Sequence, residues 1–321
     1  MAHVLWLSRQ DVEAVGLGPA ECINLVRKSL EWQARGLLEV PAKVGVHPPK
    51  GRHINAMPAF SEQLHTAGMK WVADFPRNSK LGLPTIQGII VLNNADNGIP
   101  ICILEGGRIT AIRTAAMTAI SVLACAVPNL HTATIVGTGV EAETHVMTIP
   151  KALPSLKTIR VVGRSLKAAT EFCEKVGPRA AVTLYPFGER EDAIRTAEVV
   201  ITVTNAISEP LVQLEWLSPG ATVVVLDNVG KEKSLLYSMD RVIVDDRRPF
   251  ATEEVKRRFP RGVPDIDADI GEILSSKVEA RKCPTDRVLV MNLGSAGCDL
   301  VVAHDLYMRA VELGLGTNLE F

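Results

Sequence analysis

Charge of one sign is what this 321-residue chain most plainly lacks. Its 35 lysines and arginines stand against 36 aspartates and glutamates, a formal net charge of −1. So balanced a chain raises no long-range field for a polyanion, which argues against nucleic acid and anionic membrane as partners. The six cysteines, Cys22, Cys102, Cys125, Cys173, Cys283 and Cys298, are scattered, with no C-x-x-C pair. That pattern supplies neither a zinc-type spacing nor a disulfide framework, so the expectation is reduced thiols in a cytoplasmic protein with no metal. No basic segment followed by a long apolar one opens the chain, so no signal peptide is expected. Internal repeats, heptads and low-complexity tracts are missing as well, and the length allows two domains.

Charged residues are also missing from Thr114 to Val140. Pro128, Asn129 and His131 break this stretch into an Ala-rich helix over Thr114–Ala126 and a following strand. A helix apolar nearly all round is what a buried core helix looks like, and a membrane span is not expected.

What the chain does contain is most concentrated at the end of that stretch. The β-rich run Thr132–Val136 enters Gly137-Thr138-Gly139-Val140-Glu141-Ala142, the G-x-G-x-x-A form of the dinucleotide-binding turn. Gly137 allows the tight strand-to-helix turn, Gly139 lets backbone approach a pyrophosphate, and Ala142 lets helix and strand pack closely. The helix N-terminus then offers its free N–H groups to phosphate. Downstream, the strand-like runs Thr158–Val162, Ala181–Tyr185, Glu198–Val203, Ala221–Leu226 and Arg241–Val244 are apolar. Helical stretches, among them Leu166–Lys175 and Glu189–Thr196, separate the first three. This alternation predicts a parallel sheet covered on both faces, hence a Rossmann domain over residues 116–295.

The second Rossmann strand ends in Val162-Gly163-Arg164-Ser165, without the acid that usually holds the ribose 2′-hydroxyl of NAD. Arg164 and Ser165 suit a 2′-phosphate, so NADP(H) is favoured over NAD(H). Thr204 and Asn205, after the next central strand, are placed on the adenosine or ribose side.

Residues 1–115 follow another pattern. Pro19–Arg35 reads as a helix, with strand-like runs at Lys43–His47, His53–Met57, Met69–Asp74, Thr85–Leu92 and Pro100–Leu104. The turn Asn93–Gly98 predicts a hairpin between Gln87–Asn93 and Pro100–Glu105. The expected fold class is therefore α/β: a Rossmann NAD(P)-binding domain plus an α+β domain over residues 1–115, to which the C-terminal segment 296–321 is added. Asp299–Leu313 reads as a helix ended by Gly314 and Gly316. Exposed strands in the first domain suggest a homodimer.

Taken in order, a set of short motifs resembles the ornithine cyclodeaminase/mu-crystallin family nearly from end to end. They are Ala56-Met57-Pro58-Ala59-Phe60, Gly68-Met69-Lys70, Phe75-Pro76-Arg77-Asn78, Gly82-Leu83-Pro84-Thr85, Ile109–Ala116, Ile135–Ala142, Asp227-Asn228-Val229-Gly230-Lys231 and Gly314-Leu315-Gly316-Thr317. The resemblance implies nicotinamide-dependent chemistry at the C=N bond of a 2-imino acid, with the first domain binding substrate and forming the dimer. Arg113 matches an arginine that holds the substrate carboxylate and touches the cofactor, next to Thr114. Lys70 matches an active-site lysine that binds the carboxylate and assists proton transfer. Asp227 matches the catalytic aspartate that exchanges a proton with the substrate nitrogen. Met57 and Thr85 match substrate contacts. Many members carry an arginine where this chain has Lys43, which keeps the charge and loses the bidentate fork.

The implied activity is NAD(P)H-dependent reduction of a small 2-imino acid to the L-amino acid. Candidate substrates are a cyclic ketimine such as 1-pyrroline-2-carboxylate or a linear imine such as iminosuccinate or iminopropionate. Two alternatives stay open: a redox-neutral ornithine or lysine cyclodeaminase, and a mu-crystallin-like protein that binds NADPH or a small ligand without turnover.

Overall fold

A computed structural model describes residues 3–49, 51–204, 210–226, 235–259 and 261–320. The chain divides into two compact units, residues 1–113 with 295–321, and residues 114–294.

In the first unit β1 (His3–Leu7) leads to α1 (Arg9–Ala14) and α2 (Pro19–Ala34). Ser8 and Asp11 cap α1 reciprocally, and Pro19 opens α2 at a position where its missing N–H costs nothing. The strands β2 (Leu38–Glu39), β3 (Val44–Val46), β4 (His53–Ser61), β5 (Thr66–Asp74), β6 (Ile86–Asn94) and β7 (Pro100–Glu105) follow. They form one sheet in the order β1-β7-β6-β5-β4-β2, with β3 also on β4. The Asn93–Gly98 turn is formed as expected: Asn94 Oδ1 accepts from the amides of Asp96 and Asn97, and Gly98 takes a φ of +75°. The β4 and β5 strands run farther than their apolar runs suggest, pairing from His53↔Asp74 to Ser61↔Thr66.

Next comes α3 (Gly106–Cys125), which begins eight residues before the expected helix, so Arg113 sits on a helix and not before one. This helix is long and apolar enough to cross a membrane, but 72% of its most apolar window is buried within the protein.

The second unit holds β8 (Thr132–Val136), α4 (Val140–Ala152), β9 (Thr158–Val162), α5 (Leu166–Val176), β10 (Thr183–Phe187), α6 (Arg190–Ile194), β11 (Val199–Thr202) and β12 (Thr222–Leu226). It continues with β13 (Arg241–Val244), α7 (Glu253–Lys256), β14 (Ala268–Asp269), α8 (Ile270–Leu274) and β15 (Val288–Asn292). All its strand pairs are parallel, in the order β10-β9-β8-β11-β12-β15-β13-β14. The fold is thus α/β with a Rossmann-type sheet. Its edge strand β10 is shifted two residues from the apolar run Ala181–Tyr185, because an edge strand is buried less and its pattern marks its limits poorly. The strand β15, fully buried, carries no expectation from the sequence.

The chain then returns to the first unit with α9 (Ala296–Leu313) and β16 (Thr317–Glu320), which pairs antiparallel with β1. Ser295 caps α9 and Gly314, at φ +66°, ends it. Along its inner side α9 packs on β4, β5 and β6, and α2 packs on α9.

Candidate active site

Strand alternation decides which side chains of the first unit meet. Lys70 is level with Met57 on β4 and Ile90 on β6, and all three are buried on the face that α9 covers. Extending the β3–β4 register by one residue sets Lys43 level with Met57. The Lys70 side chain is only 1% exposed, and its Nζ lies 2.6 Å from Oδ2 of Asp299. The other oxygen of Asp299 accepts from Arg113 Nε at 2.8 Å. Two cations from β5 and α3 therefore share one carboxylate from the first turn of α9, and all three side chains are buried.

Burial is the main force on the Lys70 amine and pushes it down to about 8; the neighbouring Arg113 charge acts the same way, Asp299 opposes both, and Lys43 adds a smaller lowering. An amine so placed changes protonation state near neutral pH, which is what proton transfer at that pH needs.

Asp299 escapes a sequence reading that takes it only as the first residue of a helix. A signal was present: it is a single acid inside Ala296–Ala303, a run otherwise of small and apolar residues. A carboxylate that must be buried must also be paired.

Thr85 is half-buried ahead of β6, and its carbonyl accepts from Phe75 N at 2.8 Å. It is five residues from Ile90, about 16 Å along a strand, so the sheet does not bring it to Lys70. Asp227 and Asn205 lie outside the described residues.

In the second unit the glycine turn follows β8 as expected. Gly137 takes a φ of +143°, and a Cβ there would lie 2.8 Å from the carbonyl oxygen of Val203. Only glycine lets the first turn pass so close to the chain leaving β11. The order β9-β8-β11 makes this the switch point of the sheet, where ligands bind at the carboxyl ends of strands. Gly139 caps α4 with no side-chain hydrogen bond, and a Cβ on it would meet nothing within 4 Å. Val140 is 66% exposed and Ala142 fully buried. The turn therefore keeps an open cradle over the helix N-terminus, as a pyrophosphate requires. Gly163 packs against Thr138, with 3.2 Å from its would-be Cβ to Thr138 Cγ2. Arg164 is exposed, and Ser165 caps α5 by accepting from Ala168 N at 3.2 Å. Thr204 is half-buried just after β11, and Glu141 is half-buried in the first turn of α4.

Below the turn, His145 of α4 is fully buried and both ring nitrogens are engaged. Nδ1 lies 2.6 Å from the Glu141 carbonyl oxygen, which can only accept, so Nδ1 carries the proton; Nε2, 3.0 Å away, accepts from Thr118 Oγ1 on α3. Burial pushes this imidazole down to about 4 from 6.5, against the Glu141 hydrogen bond. Between those values the unfolded chain binds the extra proton, so this stability is present above pH 6.5 and lost as pH falls through 4, in total about 3 kcal/mol. Urea melts at pH 7.5 and 5.0 are expected to differ by about 2 kcal/mol less in His145→Gln than in the parent. Equal pH dependence in both would contradict the buried neutral assignment.

A parallel sheet of this order, with a glycine turn at its switch point and a largely antiparallel sheet in the same chain, defines a two-unit protein of the dinucleotide-binding α/β class. The chain belongs to the ornithine cyclodeaminase/mu-crystallin family, whose model matches residues 4–314. It is 30% identical to the nodulation efficiency protein NfeD of Rhizobium meliloti over the full length of both chains. A Delta(1)-pyrroline-2-carboxylate reductase of Bacillus cereus is 29% identical over 93% of this chain and 97% of its own. The solved Delta(1)-pyrroline-2-carboxylate reductase of Thermococcus litoralis, in complex with NADH and L-proline, superposes with a TM-score of 0.89. It is 25% identical and covers 98% of this chain and 100% of its own.

Proposed function

We propose that this protein is an NAD(P)H-dependent imine reductase that converts a small 2-imino acid to the L-amino acid. The observation that carries this reading is the buried pair of cations, Lys70 and Arg113, in a chain that also bears an open dinucleotide turn. Two fixed cations are a receptor for a carboxylate, and Arg113 offers a planar fork to it. The relatives named for pyrroline-2-carboxylate reduction support a cyclic ketimine as first substrate, with iminosuccinate and iminopropionate as the linear candidates.

When bound, the nicotinamide supplies the hydride that reduces the C=N carbon. Gly137, Thr138, Gly139, Val140, Glu141 and Ala142 would hold the pyrophosphate, and Arg113 and Thr114 would add contacts to the cofactor. Gly163, Arg164 and Ser165 would take the adenosine side. The missing acid there favours NADPH, with NADH as the second cofactor; Thr204 and Asn205 would line the ribose. In the first unit, Arg113 and Lys70 hold the carboxylate, and Lys43 adds charge. Met57 packs beside them, and Thr85 is assigned a substrate contact by the family pattern. The nitrogen's proton comes from Lys70 or Asp227.

The test is NADPH and NADH oxidation with 1-pyrroline-2-carboxylate, 1-piperideine-2-carboxylate, iminosuccinate made in place, and pyruvate with ammonia. L-Ornithine and L-lysine with catalytic NAD are assayed in parallel for ammonia. Stoichiometric cofactor oxidation on one imine supports the reductase. Ammonia release without net cofactor change would replace it by a cyclodeaminase, and binding without turnover by a storage protein.

The first unit also supports a homodimer. The sheet face opposite α9 is apolar and open: Val44 is 71% exposed, Val46 53%, Met69 37%, Trp71 40% and Ile89 38%. A patch of this kind on one face of a sheet marks an interface. Trp71→Glu is expected to weaken self-association about 100-fold or more, read as a fall to monomer mass by light scattering. A dimer of unchanged strength would move the interface elsewhere.

A further inference from the structure

We propose that Asp299 is a positioning residue of this site: through its two oxygens it fixes Lys70 and Arg113 as a single clamp for the substrate carboxylate and maintains the charge of that clamp. The imine-reductase reading enters only in naming the carboxylate's owner. Asp299 Oδ2 is 2.6 Å from Lys70 Nζ and Oδ1 is 2.8 Å from Arg113 Nε, and all three side chains are buried. Among the described residues, Lys70 Nζ has no polar contact other than this carboxylate. A buried ammonium beside a guanidinium is repelled by it and has lost its water, so without an anion it sheds its proton.

The packing places the carboxylate there. Gly68, two residues before Lys70 on the same face of β5, lies against α9 so closely that a Cβ would be 2.8 Å from Leu300 Cδ1 and 3.0 Å from the Val91 carbonyl oxygen. On another side of α9, a Cβ at Gly297 would lie within 3.2 Å of Leu38, Ser29 and Val40 side chains. Glycines on both contacts let the first turn of α9 come down to the sheet, which is how a short aspartate reaches Lys70.

Among the described residues, the charged groups acting on Lys70 are Arg113 on α3, Asp299 on α9 and Lys43 ahead of β3; its strand neighbours Met57 and Ile90 carry none. Burial, Arg113 and Lys43 all favour the neutral amine, and among the described residues Asp299 is the group that opposes them. Removing Asp299 therefore moves the amine's titration in one direction only.

The experiment follows the Lys70 Cε resonance in the full-length protein labelled with ε-¹³C lysine, assigned by its loss in Lys70→Arg, across pH 5–11. The parent is expected to titrate near pH 8, and Asp299→Asn more than one pH unit lower. Asp299→Glu, which keeps the charge, should restore most of that change. In turnover, the basic limb of the kcat/KM profile should move with the NMR midpoint and KM should rise more than kcat falls. A folded Asp299→Asn with the parental midpoint would overturn the proposal. Should that variant fail to fold, a parental midpoint below pH 7, or a Glu variant displaced as far as an uncharged one should be, would overturn it too. Because the titration needs no substrate, a parent that reduces no imine would refute the reductase reading and leave this result standing.

Discussion

Lys70→Met is expected to lower kcat/KM for the imine substrate by about 10³-fold or more, with the fold intact. Two losses combine. A charge-assisted contact to the substrate carboxylate disappears, and so does a proton donor whose contribution is typically 10²–10⁴-fold. Methionine matches the aliphatic stem but leaves Asp299 with Arg113 as its remaining described cation, so some loss of stability accompanies the change. Steady-state kinetics alongside a thermal melt separates the two effects.

Lys70→Arg makes the result specific. Burial lowers the parent amine to about 8, so the ammonium proposed to hold a carboxylate and donate a proton is present below that pH and lost above it. The kcat/KM profile should fall as pH rises through about 8. Arginine stays charged throughout the accessible range, so the variant should keep carboxylate binding, lose proton donation, and show no fall at that pH. A parent-like basic limb in Lys70→Arg would assign the limb to another group.

Gly139→Val is expected to weaken NADPH binding about 100-fold while leaving the melting temperature within a few degrees of the parent. Its φ of −92° suits any residue, and an added Cβ meets nothing within 4 Å, so the apoprotein has no reason to object. The space it would occupy is the approach of a pyrophosphate to the α4 amides. Gly137→Ala should behave differently. There the φ of +143° and the 2.8 Å approach to the Val203 carbonyl oxygen penalise any side chain, so stability should fall together with affinity. Titration of NADPH by fluorescence, with denaturant melts of the apoprotein, tests both. If Gly139→Val bound NADPH as the parent does, the dinucleotide would not lie over this turn.

Much of this protein was legible in its sequence because short-range physics writes short-range signals. Largely apolar, β-branched runs separated by helices required a sheet buried on both faces, and β8, β9, β11, β12 and β13 formed where those runs lie. Asn93–Gly98 specified its hairpin, Pro19 the start of α2, and Gly314 the end of α9. Gly137 and Gly139 named the turn: the backbone angle at Gly137 requires glycine, and the missing side chain at Gly139 leaves the cradle open. Lys70, Arg113 and Lys43 were nameable from motif order alone.

Tertiary structure alone decided who meets whom. Arg113 and Asp299 are 186 residues apart, and no local pattern couples a mid-helix arginine to the first turn of a distant helix. The pairings of β1 with β7 and β16 are equally long-range, and each strand would alternate the same way beside any neighbour. The sequence by itself determined many of the elements, the turn and the cations, because periodicity and glycine geometry act within a few residues. Only packing joined those cations to one carboxylate and moved Lys70 toward neutral pH, because burial and Coulomb interaction depend on distances in space that chain spacing does not encode.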